Sequence, residues 1–383
     1  MPFPLYLLAV AVFAMGTSEF MLAGLLPDIA ADLAVTVASA GLLTSAFAVG
    51  MVVGAPLVAA FARGRSERRC LLGFLLVFAA AHVVGAVTTG FGVLVGTRVV
   101  AALAYAGFLA VGLTAAAAMV PERRGRALAV LLAGTTAAMI AGVPGGSLLG
   151  AVFGWRAAFW AVAALCVPAA IGVVAGVRST GGRGNPGLRA ELAPLGRPGL
   201  LVAMLLGALV NAGTFAGFTF LAPVVTGPAG LGELWVPVAM VLFGAGSFLG
   251  VALAGRLADQ RPWRVVAVGG PLLVAAWCAA AALAGNPAAL LAAVFALGAL
   301  SFAVGSTLIT RVLYAASAAP TMAGAYATAA LNAGATAGPL AGAVAHARLG
   351  DLGPLWVSAL LVLAALAVAV AARGLVADHT PTA

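Results

Sequence analysis

Two ionisable side chains lie deep inside apolar runs and are the natural starting point for any chemistry in this chain. Glu19 sits within Ala14-Met15-Gly16-Thr17-Ser18-Glu19-Phe20-Met21-Leu22-Ala23-Gly24-Leu25-Leu26-Pro27-Asp28, and Arg98 follows seven residues after Phe91. The run from Leu5 to Leu26 makes about 33 Å of helix at about 1.5 Å per residue, enough to cross a hydrocarbon core of roughly 30 Å. Glu19 then falls about 10 Å beneath the far face, and Arg98 enters to a similar depth from the same side. A charged residue so placed costs roughly 2.5–3.5 kcal/mol on insertion scales, which marks it as a candidate for function. Burial and a neighbouring cation pull a carboxylate's protonation in opposite directions, a balance that suits a proton carrier. The alternatives are structural: a Glu that pairs within the bundle, and an Arg that snorkels to the headgroups.

Other polar groups are sparse. Asp28 and Asp32 read as solvated acids at the outer end of the first span, Asp28 also as a helper for proton entry. His82 is a lone imidazole and reads as a structural hydrogen-bonding group. Asn211, Thr214 and Phe218 are spaced to share one face of a seventh span, whereas Tyr326 and Asn332, six apart, need not. Phe13, Tyr105, Phe215, Phe218 and Phe302, with Met15 and Glu19, are candidate linings of a substrate cavity. Ala133-Gly134 through Gly142-Val143-Pro144-Gly145-Gly146 is dense in small residues around a proline, which permits close helix approach and a kink. A phosphate loop, a metal-ligand cluster and a nucleophile–His–acid set are absent from the sequence. An enzyme and ATP-driven transport are therefore not expected, and no cofactor or metal is implied.

These residues need membrane-spanning elements to position them. Hydrophobic residues make up 64% of the 383 and charged ones 8%, a balance no water-soluble fold of this length could bury. The net charge of +9 comes from 19 arginines, with no lysine, set in short gaps between apolar runs, which argues against nucleic acid. The three cysteines lie at or inside apolar runs and read as reduced packing residues. No basic stretch precedes the first run, so it is expected to be its own insertion signal, not a cleaved peptide.

Apolar runs predict twelve spans, over about 5–26, 38–62, 71–90, 92–119, 127–151, 156–177, 199–226, 234–257, 265–285, 287–309, 321–345 and 353–372. Sixteen of the 19 arginines then fall on one side, only Arg156 and Arg348 opposite, and Arg98 within a span. By the positive-inside rule both termini are cytoplasmic. The stretch 178–198 reads as a linker between six-helix bundles at 1–177 and 199–373, with 374–383 as a cytoplasmic tail. The halves echo each other at an offset near 195 residues. Gly142-Val-Pro144-Gly-Gly146 answers Gly338-Pro339-Leu-Ala-Gly342, Phe108–Gly112 answers Phe302–Gly305, and the Arg-rich 2–3 turn answers Gly255–Arg261.

With these features the chain resembles the major facilitator superfamily along nearly its whole length. Gly134, Gly142, Pro144 and Gly146 match that family's span-5 antiporter motif. Gly16-Thr17-Ser18-Glu19-Phe20 with Gly24-Leu-Leu-Pro27-Asp28 resembles the twelve-span drug:proton antiporter branch. Met1-Pro-Phe-Pro-Leu-Tyr and Gly154-Trp155-Arg156-Ala-Ala-Phe159-Trp160 are similar to the actinobacterial chloramphenicol-efflux proteins within it. The resemblance implies an all-α integral membrane fold of two pseudo-symmetric six-helix bundles, a cavity lined by spans 1, 4, 7 and 10, and rocker-switch alternating access. It further implies a monomer in a bacterial cytoplasmic membrane, with protons and a small hydrophobic drug as its partners. Glu19 matches the branch's span-1 acid and Arg98 its span-4 arginine. Arg68, Arg69 and Asp259, with the span-5 glycines, would serve gating. The acid that usually precedes the first basic cluster is replaced near Ala62, so the gate latch in the first half is weaker or relies on Glu67. An exporter of a sugar, nucleoside or amino acid with the same fold is the alternative reading; its cavity would call for more polar groups than this chain carries.

Overall fold

A computed structural model describes residues 1–62, 65–177, 188–232, 234–257, 262–319 and 322–372. Long apolar stretches in lipid must satisfy every backbone N–H and C=O within the segment, which leaves the helix as the available form for these runs. Among the described residues, twelve helices have 18 residues or more. They are α1 Phe3–Phe20, α2 Leu42–Ala62, α3 Glu67–Val87, α4 Phe91–Met119, α5 Arg124–Phe153 and α6 Trp155–Gly176, then α7 Pro198–Thr219, α8 Trp235–Leu257, α9 Pro262–Ala282, α10 Pro287–Ala315, α11 Ala323–Leu349 and α12 Gly353–Ala371. Among the described residues, ten spans are long and apolar enough to cross a membrane, and α2 adds a shorter apolar stretch, Leu42–Gly54. Large apolar side chains such as Leu76, Leu148, Ile171 and Leu360 are more than 60% exposed, a surface that lipid covers and water would not tolerate. The chain is a multi-pass membrane protein.

Two helices stop well short of the hydropathy reading, for one reason. The first apolar run was expected to continue as a single span to Leu26, but α1 stops at Phe20 and passes through a 3-10 turn, Met21–Gly24, into a short helix, Leu26–Asp32. Likewise α7 stops at Thr219, short of the expected 226, and a separate helix, Leu221–Thr226, follows. Pro27 and Pro223 have no N–H to donate one turn back, so the ladder breaks although the residues stay apolar. Glu19 therefore stands at the last turn of α1, not seven residues from the helix end.

By backbone contact the chain divides into two compact units, Met1–Pro121 with Val130–Leu188 and Thr321–Ala329, and Glu122–Ala129 with Arg189–Pro320 and Ala330–Ala383. In the first, α4 packs on α1, α2 and α3, and α6 packs on α1 and α3. In the second, α10 packs on α7, α8 and α9, and α12 packs on α7 and α9. The same pattern recurs six helices later. Its register is 196 residues: Gly154 and Gly350, both left-handed (φ 82° and 74°), close the α5–α6 and α11–α12 turns. The two prolines that end α1 and α7 stand in that register as well.

Small residues set the closest helix approaches. In α5, a Cβ on Gly134 would collide with the Ala9 carbonyl oxygen of α1. One on Gly142 would stand 3.0 Å from Phe20 Cβ, and one on Gly146 2.9 Å from the Met21 oxygen. The counterparts Gly338 and Gly342 of α11 lie against Ala212 and Ala216 of α7. Helix association in lipid depends on such close packing because no water is expelled between the helices.

Candidate functional site

Arg98 is the organising side chain of the first unit. It lies in the second turn of α4 and is 1% exposed. Its Nη1 donates to Ser18 Oγ at 2.6 Å and its Nη2 to the Ser18 carbonyl oxygen at 3.0 Å, which ties α4 to α1. The guanidinium carbon sits 4.3 Å from the centre of the Phe47 ring of α2, a cation–π contact in a desolvated setting. Ser18 Oγ is also 2.6 Å from His82 Nε2 of α3, and His82 Nδ1 is 2.8 Å from the Phe78 carbonyl oxygen. Four helices thus converge on one buried cation.

Glu19 is the adjoining residue on α1. Its carboxylate interacts electrostatically with the Arg98 guanidinium and with Tyr105. Among the described residues Glu19 and Arg98 form no ion pair; the short contacts of the guanidinium go to Ser18. Phe78, Tyr105 and Phe47 close around the network, with ring centres 6.4 Å apart for Phe47–Tyr105 and for Phe78–Tyr105. Met15 and Tyr105 are buried within this unit, whereas Phe13 is half-buried. A protonatable carboxylate beside a cation that is already held by neutral groups is an arrangement able to take up and release a proton.

The acids beyond α1 behave differently. Asp28 is exposed. Asp32 Oδ2 accepts from Arg156 Nη1 at 2.5 Å and from Trp155 Nε1 at 3.3 Å, while Arg156 Nη2 donates to the Thr88 carbonyl oxygen. The hydrogen bond from Arg156 holds the Asp32 carboxyl below the usual carboxylate range, with a smaller contribution from Trp155. Three connections, after α1, α3 and α5, are joined in this way.

In the second unit the register that relates the halves places Phe215 where Glu19 stands, Thr214 where Ser18 stands and Val294 where Arg98 stands. The charge pair is not repeated at these positions, and rings lie nearby. Phe215 and Phe218 of α7 are 6.3 Å apart, Phe218 lies 4.8 Å from Phe243 of α8, and Phe243 lies 6.3 Å from Phe302 of α10. Phe243, absent from the sequence reading because nothing polar marks it, joins the three candidate aromatics into one ladder. Asn211 Nδ2 donates to the Leu331 carbonyl oxygen of α11 at 2.7 Å, and Thr214 Oγ1 to the Val210 oxygen of its own helix. Both polar groups of that face are thereby engaged.

Arg68 and Arg69 sit in the first turn of α3. Pro144 lies in the run of α5, its side chain outside the described residues, as are Asp259, linker residues 178–187 and the tail from 373.

The profile of the Major Facilitator Superfamily matches residues 8–339. The chain belongs to that superfamily. Over 388 aligned residues this superfamily member is 67% identical to the chloramphenicol resistance protein of Streptomyces lividans, with 100% of this chain and 99% of that protein covered. It is 34% identical to the inner membrane transport protein YdhP of Escherichia coli K12, over 86% of this chain and 85% of that one. Among solved structures it shares its fold with FucP, a superfamily transporter in the outward conformation (TM-score 0.77, 14% identity, 99% of both chains). The human organic anion transporter MFSD10 is also similar (TM-score 0.73, 16% identity, 96% and 97% of the two chains).

Proposed function

We propose that this superfamily member is a proton-coupled exporter of small, largely uncharged hydrophobic drugs, with chloramphenicol as the leading substrate. The full-length 67% likeness to a chloramphenicol resistance protein carries the substrate class. The neighbourhood of Glu19 and Arg98 supports the coupling. In this reading the protein is a monomer in the bacterial cytoplasmic membrane with both termini in the cytoplasm. Bundles at 1–177 and 199–373 alternate access about the linker 178–198, with Arg68, Arg69 and Asp259 at the cytoplasmic gate.

Outward-facing Glu19 takes a proton and bound drug leaves. Inward-facing Glu19 loses the proton and drug rebinds. One proton in for one neutral drug out moves one charge, worth about 2.3 kcal/mol per 100 mV. Phe215, Phe218, Phe243 and Phe302 supply faces on which an aromatic drug stacks.

The substrate assignment is tested in inside-out vesicles energised by an imposed pH gradient. Labelled chloramphenicol should accumulate only while the gradient stands. Displacement of the label by sugars, nucleosides or amino acids, and not by other hydrophobic drugs, would point to a polar substrate instead.

A further inference from the structure

The hydrogen-bond inventory around Arg98 runs in one direction. A guanidinium can only donate, so Ser18 Oγ accepts from Nη1. Phe78 O can only accept, so His82 Nδ1 carries a hydrogen. The Ser18 hydrogen is then free to reach His82 Nε2, 2.6 Å away, and a neutral imidazole completes the chain without placing a second cation beside the first. The order is Arg98 to Ser18 to His82 to Phe78 O. The groups facing this chain are Glu19 from α1 and Tyr105 from α4, while α2 and α6 present the rings of Phe47 and Phe159.

We propose that Ser18 and His82 are positioning residues for coupling: they hold the Arg98 guanidinium on the Ser18 side and keep it from closing on the Glu19 carboxylate. The inference rests on the antiport reading above and adds to it two neutral residues that never carry the proton themselves. Ser18 and Glu19 are consecutive in one helix, and the guanidinium that donates to Ser18 also interacts electrostatically with the Glu19 carboxylate, so both residues compete for it. An arginine locked on a carboxylate holds it charged; one anchored on a hydroxyl leaves it available to protons. His82 acts by fixing the Ser18 rotor: with its hydrogen engaged on Nε2, the oxygen lone pairs face Arg98.

The test uses the full-length protein in proteoliposomes and follows chloramphenicol-driven proton exchange against pH. Ser18→Ala and His82→Phe should each move the half-maximal point to more acid pH by about one unit, because the freed guanidinium now pairs with Glu19. Chloramphenicol affinity at fixed pH should change less than about twofold, well short of a tenfold step. Ser18→Thr, which keeps the hydroxyl, should restore the wild-type profile. An unshifted profile, or an equal loss of rate at every pH, would overturn the proposal.

Proton uptake by the purified protein, titrated without drug, gives an independent reading. Ser18→Ala should shift that curve to acid in the wild type and not in a Glu19→Gln background. A wild type with no drug-driven exchange defeats the antiport reading, and the titration then decides this proposal alone. A shift that persists in Glu19→Gln overturns it.

Discussion

Arg156 at the start of α6 and Asp32 after α1 meet at 2.5 Å, and the same guanidinium lies 4.3 Å over the Trp155 ring and donates to Thr88 O. The bridge is partly exposed, with side chains 33% and 45% accessible, so its worth is modest. Asp32→Asn should lower unfolding stability at neutral pH by no more than about 1 kcal/mol. The folded carboxyl is held below its ordinary 3.8, so its contribution is present above that value and is lost as pH falls through the depressed one. Thermal unfolding of wild type and Asp32→Asn in detergent should therefore differ at neutral pH and converge in strong acid. A gap that widened on acidification would contradict the assigned partner.

The glycine ridge of α5 makes a paired prediction. A methyl group on Gly134 has no space against the Ala9 carbonyl, whereas a Cβ on Gly145 meets nothing within 4 Å. Gly134→Ala should lower stability by about 1–3 kcal/mol and suppress transport, as overpacking does. Gly145→Ala should leave melting temperature unchanged or raise it slightly, since alanine is the better helix former by about 0.5–1 kcal/mol. Parallel melting curves of the two variants check both.

Removing one ring from the α7–α8–α10 ladder should weaken drug binding without touching proton coupling. Phe218→Ala is expected to raise the chloramphenicol Kd by roughly two- to tenfold, the value of an aromatic contact of about 0.5–1.5 kcal/mol. Equilibrium binding at one pH measures it. The pH dependence of exchange should stay in place, because Glu19 and Arg98 belong to other helices.

Much of this was legible in the residues. Apolar runs mark the twelve helices because lipid leaves them no other form, and the glycines of α5 mark a close approach because few other reasons explain so many in one span. The breaks at Phe20 and Thr219 were hidden: hydropathy continues through Pro27 and Pro223, and only the missing N–H betrays the stop. For that reason Glu19 lies in the last turn of α1 and not inside an unbroken span to Leu26. Arg98 stood out as a buried charge, yet its short contacts go to Ser18, a small neutral residue that no composition or period singles out. His82 was visible only as a hydrogen-bonding group; that its partner is Ser18 depends on how α1 and α3 pack. Phe243 lay hidden among other apolar residues of α8 and gains meaning from the rings on either side.

The central claim is that Glu19 carries the proton that drives drug export. The most direct measurement is drug-dependent proton movement in proteoliposomes, wild type beside Glu19→Gln. The account requires chloramphenicol-driven proton release in the wild type and none in the variant, with drug binding retained. Proton release that survives intact in Glu19→Gln would contradict it and shift the carrier role to another acid, with Asp28 first to be tested.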